Sequence, residues 1–388
     1  MKRLKFWSMI LLMAMSLPLM VSCGGDDSDD ETSAPPSEYP DNPDPFDVMN
    51  FKDLQVAAIC VANFDLNKDG KITYAEAAAV KDIGEHFRKS NIEFFDEFRY
   101  FTGLSTIPRF AFARCTALSS ITIPNSVKSI GVAAFEKCHS LTSIIIPNSV
   151  TIIEDHSFKC DNLSSIVIGT GLTTINGNAI SPNSLTSIKV ESGNPKYDSR
   201  ENCNALIETA TNEIILGSGR TIIPNSVTSI GKAAFTGCSI LTSITIPNNV
   251  TSIGNRAFEF CTSLASIEIP NSVTSIGEGA FDEVNLTTVV SLIDNPFVIV
   301  GKSSSSRAFS VNTFDNATLY VPVGTKEKYQ ATDGWKDFVN IVEGTPTGIK
   351  VIENTQKKNA TVYDLNGARQ SEAKRGINIL NGKKIVVK

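Results

Sequence analysis

One short phrase returns at a fixed interval along much of this 388-residue sequence. IPNSV begins at residues 123, 146, 223 and 269, and its variant IPNNV begins at 246, so neighbouring copies within each block are 23 residues apart. A phenylalanine keeps the same period, at Phe112, Phe135, Phe158, Phe235, Phe258 and Phe281. A unit this short cannot enclose a core alone, whereas stacked copies bury continuous apolar columns. The repeat therefore predicts a solenoid.

Four of the five copies follow a strand-like phrase, written LSSITI, LTSIII, LTSITI or LASIEI. Alternation along a strand turns the apolar residues of each phrase inward and leaves its small hydroxyl residues on the outer, concave face. Such side chains can hydrogen-bond a glycan or peptide at little entropic cost, although β-forming residues that keep a surface soluble give the same pattern. The predicted ligand-binding ladder comprises Ser119, Ser120, Thr122, Thr142, Ser143, Thr242, Ser243 and Thr245.

The motif IPNSVTSIGxxAFxxCxxLTSIT resembles the repeat of the BspA-like leucine-rich-repeat surface proteins of Bacteroidetes and related organisms, over about residues 91–345. The resemblance implies a curved, β-rich solenoid with short strands on its concave face, a hairpin insert at about 191–222 and a C-terminal cap at about 315–345. Family members with known activities are surface adhesins. The resemblance therefore implies binding to a host matrix protein, a glycan or another bacterial surface.

The N-terminus is typical of an exported lipoprotein. Residues 1–22 have a basic start and an apolar stretch, as a signal peptide does. The phrase LMVSC resembles a bacterial lipobox, which predicts acylation of Cys23, a membrane-attached chain and an outer-membrane location exposed at the cell surface. A plain cleaved signal and a membrane-spanning anchor are the alternatives. Residues 23–50 are acidic and rich in proline, which indicates a solvated tether.

A calcium loop is predicted within a small helical cap at residues 51–90. The segment DLNKDGKITYAE matches the EF-hand loop, with Gly70 at the sharp turn. Apolar spacing before the loop and an Ala-rich run from Tyr74 to Ile83 indicate flanking helices. One bound Ca²⁺ with a structural role is expected, and an Asx-rich turn that binds no metal is the alternative. The predicted ligands are Asp65, Asn67, Asp69, Lys71 through its carbonyl, Thr73 and Glu76.

The cysteines and charges argue against catalysis and nucleic-acid binding. Five of the eight cysteines occupy one repeat position, where the last repeat has Val284, so buried free thiols are expected although distance alone permits disulfides. The three histidines form no recognisable catalytic motif. Scattered carboxylates leave a glycosidase-like pair open. A net charge of -6 without a long basic run excludes nucleic acid as the expected partner.

Residues 346–388 predict a C-terminal β module with Asn-Gly turns at 366–367 and 381–382. The module is similar to one that directs type IX secretion, but a lipidated N-terminus already supplies an address, so a merely structural role is equally open. Taken together, the sequence predicts a non-enzymatic surface lipoprotein that acts as an adhesin or ligand-binding protein. The alternatives are a structural envelope lipoprotein without a dedicated ligand, and a hydrolase-associated or inhibitory module.

Overall fold

A computed structural model describes residues 39–346 and the backbone of four strands between residues 362 and 387. Of its two compact units, residues 1–42 and 43–388, the first is described only from residue 39. The predicted signal peptide, Cys23 and the first part of the tether lie outside the described residues.

Helices are short and lie mainly near the two ends of the repeat region. The α-helices are α1 (Leu54–Phe64), α2 (Tyr74–Ala79), α3 (Val311–Asn316) and α4 (Lys326–Ala331). Three 3₁₀ helices span Asp96–Tyr100, Arg200–Asn202 and Trp335–Asp337.

Short strands make up most of the regular structure. They are β1 (Phe94–Phe95), β2 (Thr106–Ile107), β3 (Ser120–Ile121), β4 (Ser129–Ile130), β5 (Ser143–Ile146), β6 (Ile152–Ile153), β7 (Ser165–Ile168), β8 (Thr174–Ile175), β9 (Ser187–Val190), β10 (Tyr197–Asp198), β11 (Leu206–Glu208), β12 (Glu213–Leu216), β13 (Ser229–Ile230), β14 (Ser252–Ile253), β15 (Ser266–Ile269), β16 (Ser275–Ile276), β17 (Thr288–Ser291), β18 (Thr318–Val321), β19 (Asn340–Glu343), β20 (Val362–Tyr363), β21 (Arg369–Gln370), β22 (Gly376–Leu380) and β23 (Lys383–Val387).

Parallel pairing between successive turns builds a β-solenoid of about 11 turns, each about 22 residues long. The four-residue strands form the sheets β5-β7-β9 and β15-β17-β18-β19, and the two-residue strands form the sheet β2-β4-β6-β8 and the last part of β10-β11-β12-β13-β14-β16. Most repeats therefore contribute one strand to each of two parallel ladders, whereas residues 241–247 form no strand. The prediction of a β-rich leucine-rich-repeat solenoid is confirmed.

Stacked phenylalanines occupy one corner of each turn. The rings of Phe112, Phe135 and Phe158 are fully buried, with neighbouring centroids 5.1 Å apart and planes within 10°. A second stack runs from Phe235 to Phe309, with centroids 4.9 to 5.2 Å apart. Each buried ring contributes roughly 1.5 to 3 kcal/mol through removal of apolar surface from water. The stacks thus join neighbouring turns, and no single turn can form them.

The repeated cysteines lie beside these rings, and their thiols form hydrogen bonds to backbone carbonyl groups of the phenylalanines. The thiols of Cys138, Cys160 and Cys261 donate hydrogen bonds to the carbonyl oxygen of a phenylalanine one turn earlier, at 3.0 to 3.2 Å. All seven cysteines among the described residues are free and buried, which confirms the prediction of free thiols. Burial raises the pKa of the Cys238 and Cys261 thiols.

The insert divides the hydrophobic interior into two cores. Strands β10, β11 and β12 pair antiparallel, and β12 then pairs parallel with β13. The turns before the insert form the first block, and the turns after it form the second block. Leu206 and Leu216 belong to the core of the first block, whereas Ile207 and Ile214 belong to the core of the second. The hairpin therefore closes one core with some of its apolar side chains and the other core with the rest.

Strands β20 to β23 form an antiparallel sheet in the order β21-β20-β22-β23, with Leu380 opposite Lys383. The predicted turns at 366–367 and 381–382 lie outside the described residues. The sorting role of this region stays a prediction.

Gly217 stands where the second phenylalanine stack begins. A Cβ atom at this glycine would lie 1.9 Å from Cε1 of Phe235. We expect Gly217→Ala to lower the free energy of unfolding by about 1 to 3 kcal/mol, because the ring or the backbone must shift. Urea denaturation would measure the change. Gly177→Ala is the matched control, since nothing lies within 4 Å of its Cβ position; equal stability of the two variants would contradict the packing described here.

Cys238 supplies a test at alkaline pH. Its pKa is raised from 9.0 to about 12 by burial, so the unfolded chain loses this proton at a lower pH than the folded chain. The stabilisation is complete below about pH 9 and is lost as the pH rises towards 12. In Cys238→Val the fall in the free energy of unfolding over this range should be shallower by about 1.4 kcal/mol per pH unit.

Val284 occupies the equivalent position of the last repeat, so the same substitution should change stability at pH 7 by less than about 1.5 kcal/mol. Denaturation curves at several pH values would give both quantities. An unchanged alkaline slope would show that the thiol is not buried in the folded chain.

Candidate functional site

The outward side chains of the longer strands form two rows across the first block. In β5, Ser143 and Ile145 are exposed while Ile144 and Ile146 are buried. The register aligns Ser143 with Ser165 and Ser187, and it aligns Ile145 with Val167 and Lys189. One row is therefore made of serines, and the neighbouring row contains aliphatic side chains.

A groove of about 530 Å³ lies over these rows. It extends from the 3₁₀ helix that begins at Asp96, across β3, β5 and β7, to Glu191, which follows β9. Four members of the predicted ladder line it, namely Ser119, Ser120, Thr122 and Ser143. The structure thus gathers half of the predicted ladder into one concave site, which we call the groove.

Several hydroxyls of the groove already have partners. Ser120 and Thr122 donate hydrogen bonds to Oδ1 of Asp96 at 2.6 and 3.2 Å, and Arg99 donates to the Thr122 hydroxyl at 3.1 Å. The Ser119 hydroxyl donates to the carbonyl of Glu93 at 3.0 Å. These bonds fix one end of the groove as a polar wall held by the N-terminal cap.

Among the groove residues that the sequence did not predict are Asp96, Ile145 and Glu191. Ile145 is 67% exposed, at a position where the second block has Thr245. That substitution is visible in the phrase LTSIII and could have marked the site, because an exposed aliphatic residue interrupts a row of hydroxyls. Asp96 and Glu191 come from outside the repeat phrase, so only the fold reveals that they flank it.

The other half of the ladder lies elsewhere. Thr142 is exposed beside the groove, and its carbonyl accepts from the backbone of Ser164. Thr242, Ser243 and Thr245 are also exposed, as expected, but they do not line the groove.

The prediction that the phrase LTSITI of the second block forms a strand is wrong. Residues 241–247 form no strand, whereas the equivalent phrases contain β3, β5 and β15. The turn before them is the insert, where residues 217–224 are also outside any strand and supply no partner ladder. The serine row on β5, β7 and β9 is therefore interrupted here, and an aligned hydroxyl row returns only at Ser266, Thr288 and Thr318 on β15, β17 and β18.

The predicted calcium loop connects α1 and α2. Helix α2 ends at Ala79, earlier than Ile83, the predicted end of this helix. Asp65 accepts from the backbone N–H groups of Lys68 and Gly70 at 2.6 and 2.8 Å, and Asp69 accepts from that of Lys71 at 2.9 Å. Gly70 has a φ of 80°, the left-handed conformation that the sharp turn requires. Asn67 also accepts within the loop, from the N–H of Asp69 at 2.8 Å.

Glu76 closes the loop and also caps α2. Its carboxylate accepts from the backbone of Leu66, Asn67 and Thr73 and from the Thr73 hydroxyl, at 2.9 to 3.3 Å. Thr73 in turn accepts from the Glu76 N–H, which completes a capping box. Burial alone would raise the pKa of Glu76, but these hydrogen bonds outweigh it and lower the pKa. The carboxylate is therefore held ionised.

The oxygen donors of this loop are those a hard cation prefers. Each carboxylate oxygen of Asp65 accepts one backbone hydrogen bond and keeps a second lone pair, whereas each oxygen of Glu76 already accepts two hydrogen bonds. Among residues 39–346, however, no three His, Cys, Asp or Glu side chains form a cluster that could hold a metal ion. The donor types fit calcium, and the ligand set stays a prediction. In the same part of the chain no helix has the length and hydropathy needed to cross a membrane.

Residues 83–206 and 219–318 match the family described as BspA type leucine-rich repeat region, in six copies. A comparison with curated proteins gives no match. Similar solved structures include a leucine-rich repeat protein from Eubacterium ventriosum, with 22% identity over 62% of this chain and 68% of that chain, and a TM-score of 0.45.

Two further structures share the likeness. The pneumococcal vaccine antigen PcpA is 16% identical over 63% of this chain and 78% of its own, with a TM-score of 0.40. A leucine-rich repeat protein from Bacteroides ovatus is 27% identical over 51% of this chain and 52% of its own, with a TM-score of 0.33. The repeat match itself covers more than half of the sequence, and the chain therefore belongs to the BspA-type leucine-rich-repeat family.

Proposed function

We propose that this chain is a cell-surface binding protein, a non-enzymatic adhesin whose ligand lies in the groove. The observation that carries the proposal is Ile145, an aliphatic side chain left 67% exposed beside the serine row in a groove of about 530 Å³. Contact with a ligand would remove this apolar surface from water, and the rigid sheet around it loses little entropy on binding.

An extended segment of a host matrix protein fits the groove better than a sugar does. Carbohydrate sites commonly offer an aromatic face, and the groove lining contains no aromatic residue. It offers instead aliphatic side chains, hydroxyls and, towards its two ends, the carboxylates of Asp96, which accepts from Ser120 and Thr122, and Glu191, which is paired with the exposed Lys189. A peptide with an apolar side chain at its centre and basic side chains beside it would complement this lining.

A lipid anchor would place this surface outside the cell. The lipobox-like sequence supports acylation of Cys23, and the acidic tether supports display on the outer membrane. A structural envelope lipoprotein without a dedicated ligand is the alternative that the binding experiment separates from this proposal.

Ile145→Lys should weaken binding at least about tenfold, because it replaces the apolar centre of the groove with a strongly hydrated charge. Surface plasmon resonance against a panel of extracellular matrix proteins and mucin glycans would measure the affinity. Thr245→Lys is the matched control, since it adds the same charge at the same repeat position outside the groove. Equal weakening by both variants, or no binding by the unchanged chain, would contradict the proposal and favour the structural alternative.

We also propose that the loop at residues 65–76 binds one calcium ion that stabilises the cap. Glu76→Gln should abolish or strongly reduce the calorimetric heat of calcium binding, because it removes the closing charged ligand. Glutamine is accepted in a capping box, so the start of α2 should be preserved. Glu93→Gln removes an exposed charge outside the loop and should leave the heat unchanged. No heat from the unchanged chain would exclude the site.

A further inference from the structure

Four successive turns of the first block each present an exposed cation at the corner beside the phenylalanine stack. These residues, which we call the basic row, are Lys89, Arg114, Lys137 and Lys159.

Backbone hydrogen bonds fix their alignment. The N–H of Lys89 donates to the carbonyl of Ala113, that of Arg114 to Glu136, and that of Lys137 to Lys159, at 2.7 to 2.9 Å. Consecutive members are therefore separated by about one strand spacing, roughly 4.8 Å.

The row is not neutralised by ion pairs. Among the described residues, no salt bridge involves any of its four members. Arg88 and Arg109 lie near its first turn, with their guanidinium carbons 4.6 and 4.5 Å from the ring centre of Phe110. Arg88 is paired with Glu85. The arrangement concentrates positive charge on one corner of a chain whose net charge is -6.

Acidic side chains on neighbouring positions reduce this charge without cancelling it. Glu136 is half-buried beside Lys137, and Asp155 is exposed on the turn that carries Lys159. The Asp161 carboxylate lies 3.2 Å from Nδ1 of His139. The row and Arg109 still supply five exposed cations against these carboxylates.

The fold does not require cations here. Lys89, Arg114 and Lys137 have φ values of 62 to 64°, a left-handed conformation that costs a residue with a side chain roughly 1 to 2 kcal/mol. In the second block the equivalent position holds Gly237, Phe260 and Glu283 in the same conformation. This backbone position therefore accepts a glycine, an aromatic residue or an acidic residue as well as a cation.

We propose that the basic row binds a linear acidic polysaccharide, with sulfate or carboxylate groups along its length. A polymer of this kind carries its charges at intervals set by its sugar rings, which suits a single line of cations on successive turns. Duplex nucleic acid presents phosphates on two strands and is bound by broader basic surfaces. The row lies outside the groove lining, so this binding is separate from the proposed adhesin site.

The test compares two variants that lose the same number of charges. Lys89→Gln/Arg114→Gln/Lys137→Gln removes three of the four cations of the row, and Lys128→Gln/Arg220→Gln/Lys232→Gln removes three exposed cations from other positions. Binding of the full chain to heparin, hyaluronan and uncharged dextran of matched length would be measured at several salt concentrations. Heparin carries sulfates and hyaluronan only carboxylates, so the two probes separate these chemistries.

The unchanged chain should bind heparin, or both acidic probes, but not dextran. The row variant should bind roughly 10- to 100-fold more weakly at low salt, with a shallower dependence on salt by up to one unit for each cation removed. The control triple variant should bind like the unchanged chain. Ile145→Lys should leave heparin binding intact, which separates this site from the groove.

Three results would overturn the proposal. Equal weakening in both triple variants would show that only the net charge matters. Unchanged binding in the row variant would place the site elsewhere. Absence of polysaccharide binding together with salt-sensitive self-association in light scattering would make a second copy of this chain the partner of the row.

Discussion

Contact between successive turns is the constraint on which the rest of this molecule depends. A single turn leaves its phenylalanine, its cysteine and its strand edges unpartnered, and the next turn supplies a ring about 5 Å away and the backbone bonds of a parallel ladder. Even the cysteine thiols bond to the preceding turn. Because all these contacts repeat in register, a side chain at one repeat position is placed directly beside its equivalents. The solenoid therefore converts a repeated residue into a continuous row on the surface.

Both proposed binding surfaces use this property, and both belong to the first block. The serine row and its exposed Ile145 lie on the longer strands, and the cations of the basic row lie at the corner beside the phenylalanine stack. The basic row ends at Lys159, and the ladder of longer strands is interrupted at the insert, whose hairpin closes the first core, before it resumes as β15-β17-β18-β19. The second block keeps the same buried residues but presents different side chains, such as Thr245 and Glu283, at the equivalent outer positions.

The sequence predicted the buried part of this structure well. Period and alternation identified the solenoid and its inward residues, because burial of apolar side chains is a local consequence of repeat spacing. Of Leu241, Ile244 and Ile246, which were all expected to face inward, the first and last are buried and Ile244 is half-buried. The groove was predicted only in part. Ser120 and Thr122 were expected, but Asp96 reaches them from a separate 3₁₀ helix about 24 residues earlier, and Glu191 follows the last strand. Such long-range placement depends on how the cap and insert pack. The loss of the strand at residues 241–247 has the same origin, since its expected partner was displaced by the insert.

Hydrogen exchange measured on the free chain and on the chain bound to a matrix protein tests this account most directly. In the free chain, the amides that join successive turns should exchange slowly in both blocks. Binding should slow exchange further at residues 119–123 and 143–148 and leave residues 241–247 unchanged. Rapid exchange throughout the stacked turns, or new protection confined to residues 241–247, would contradict the account.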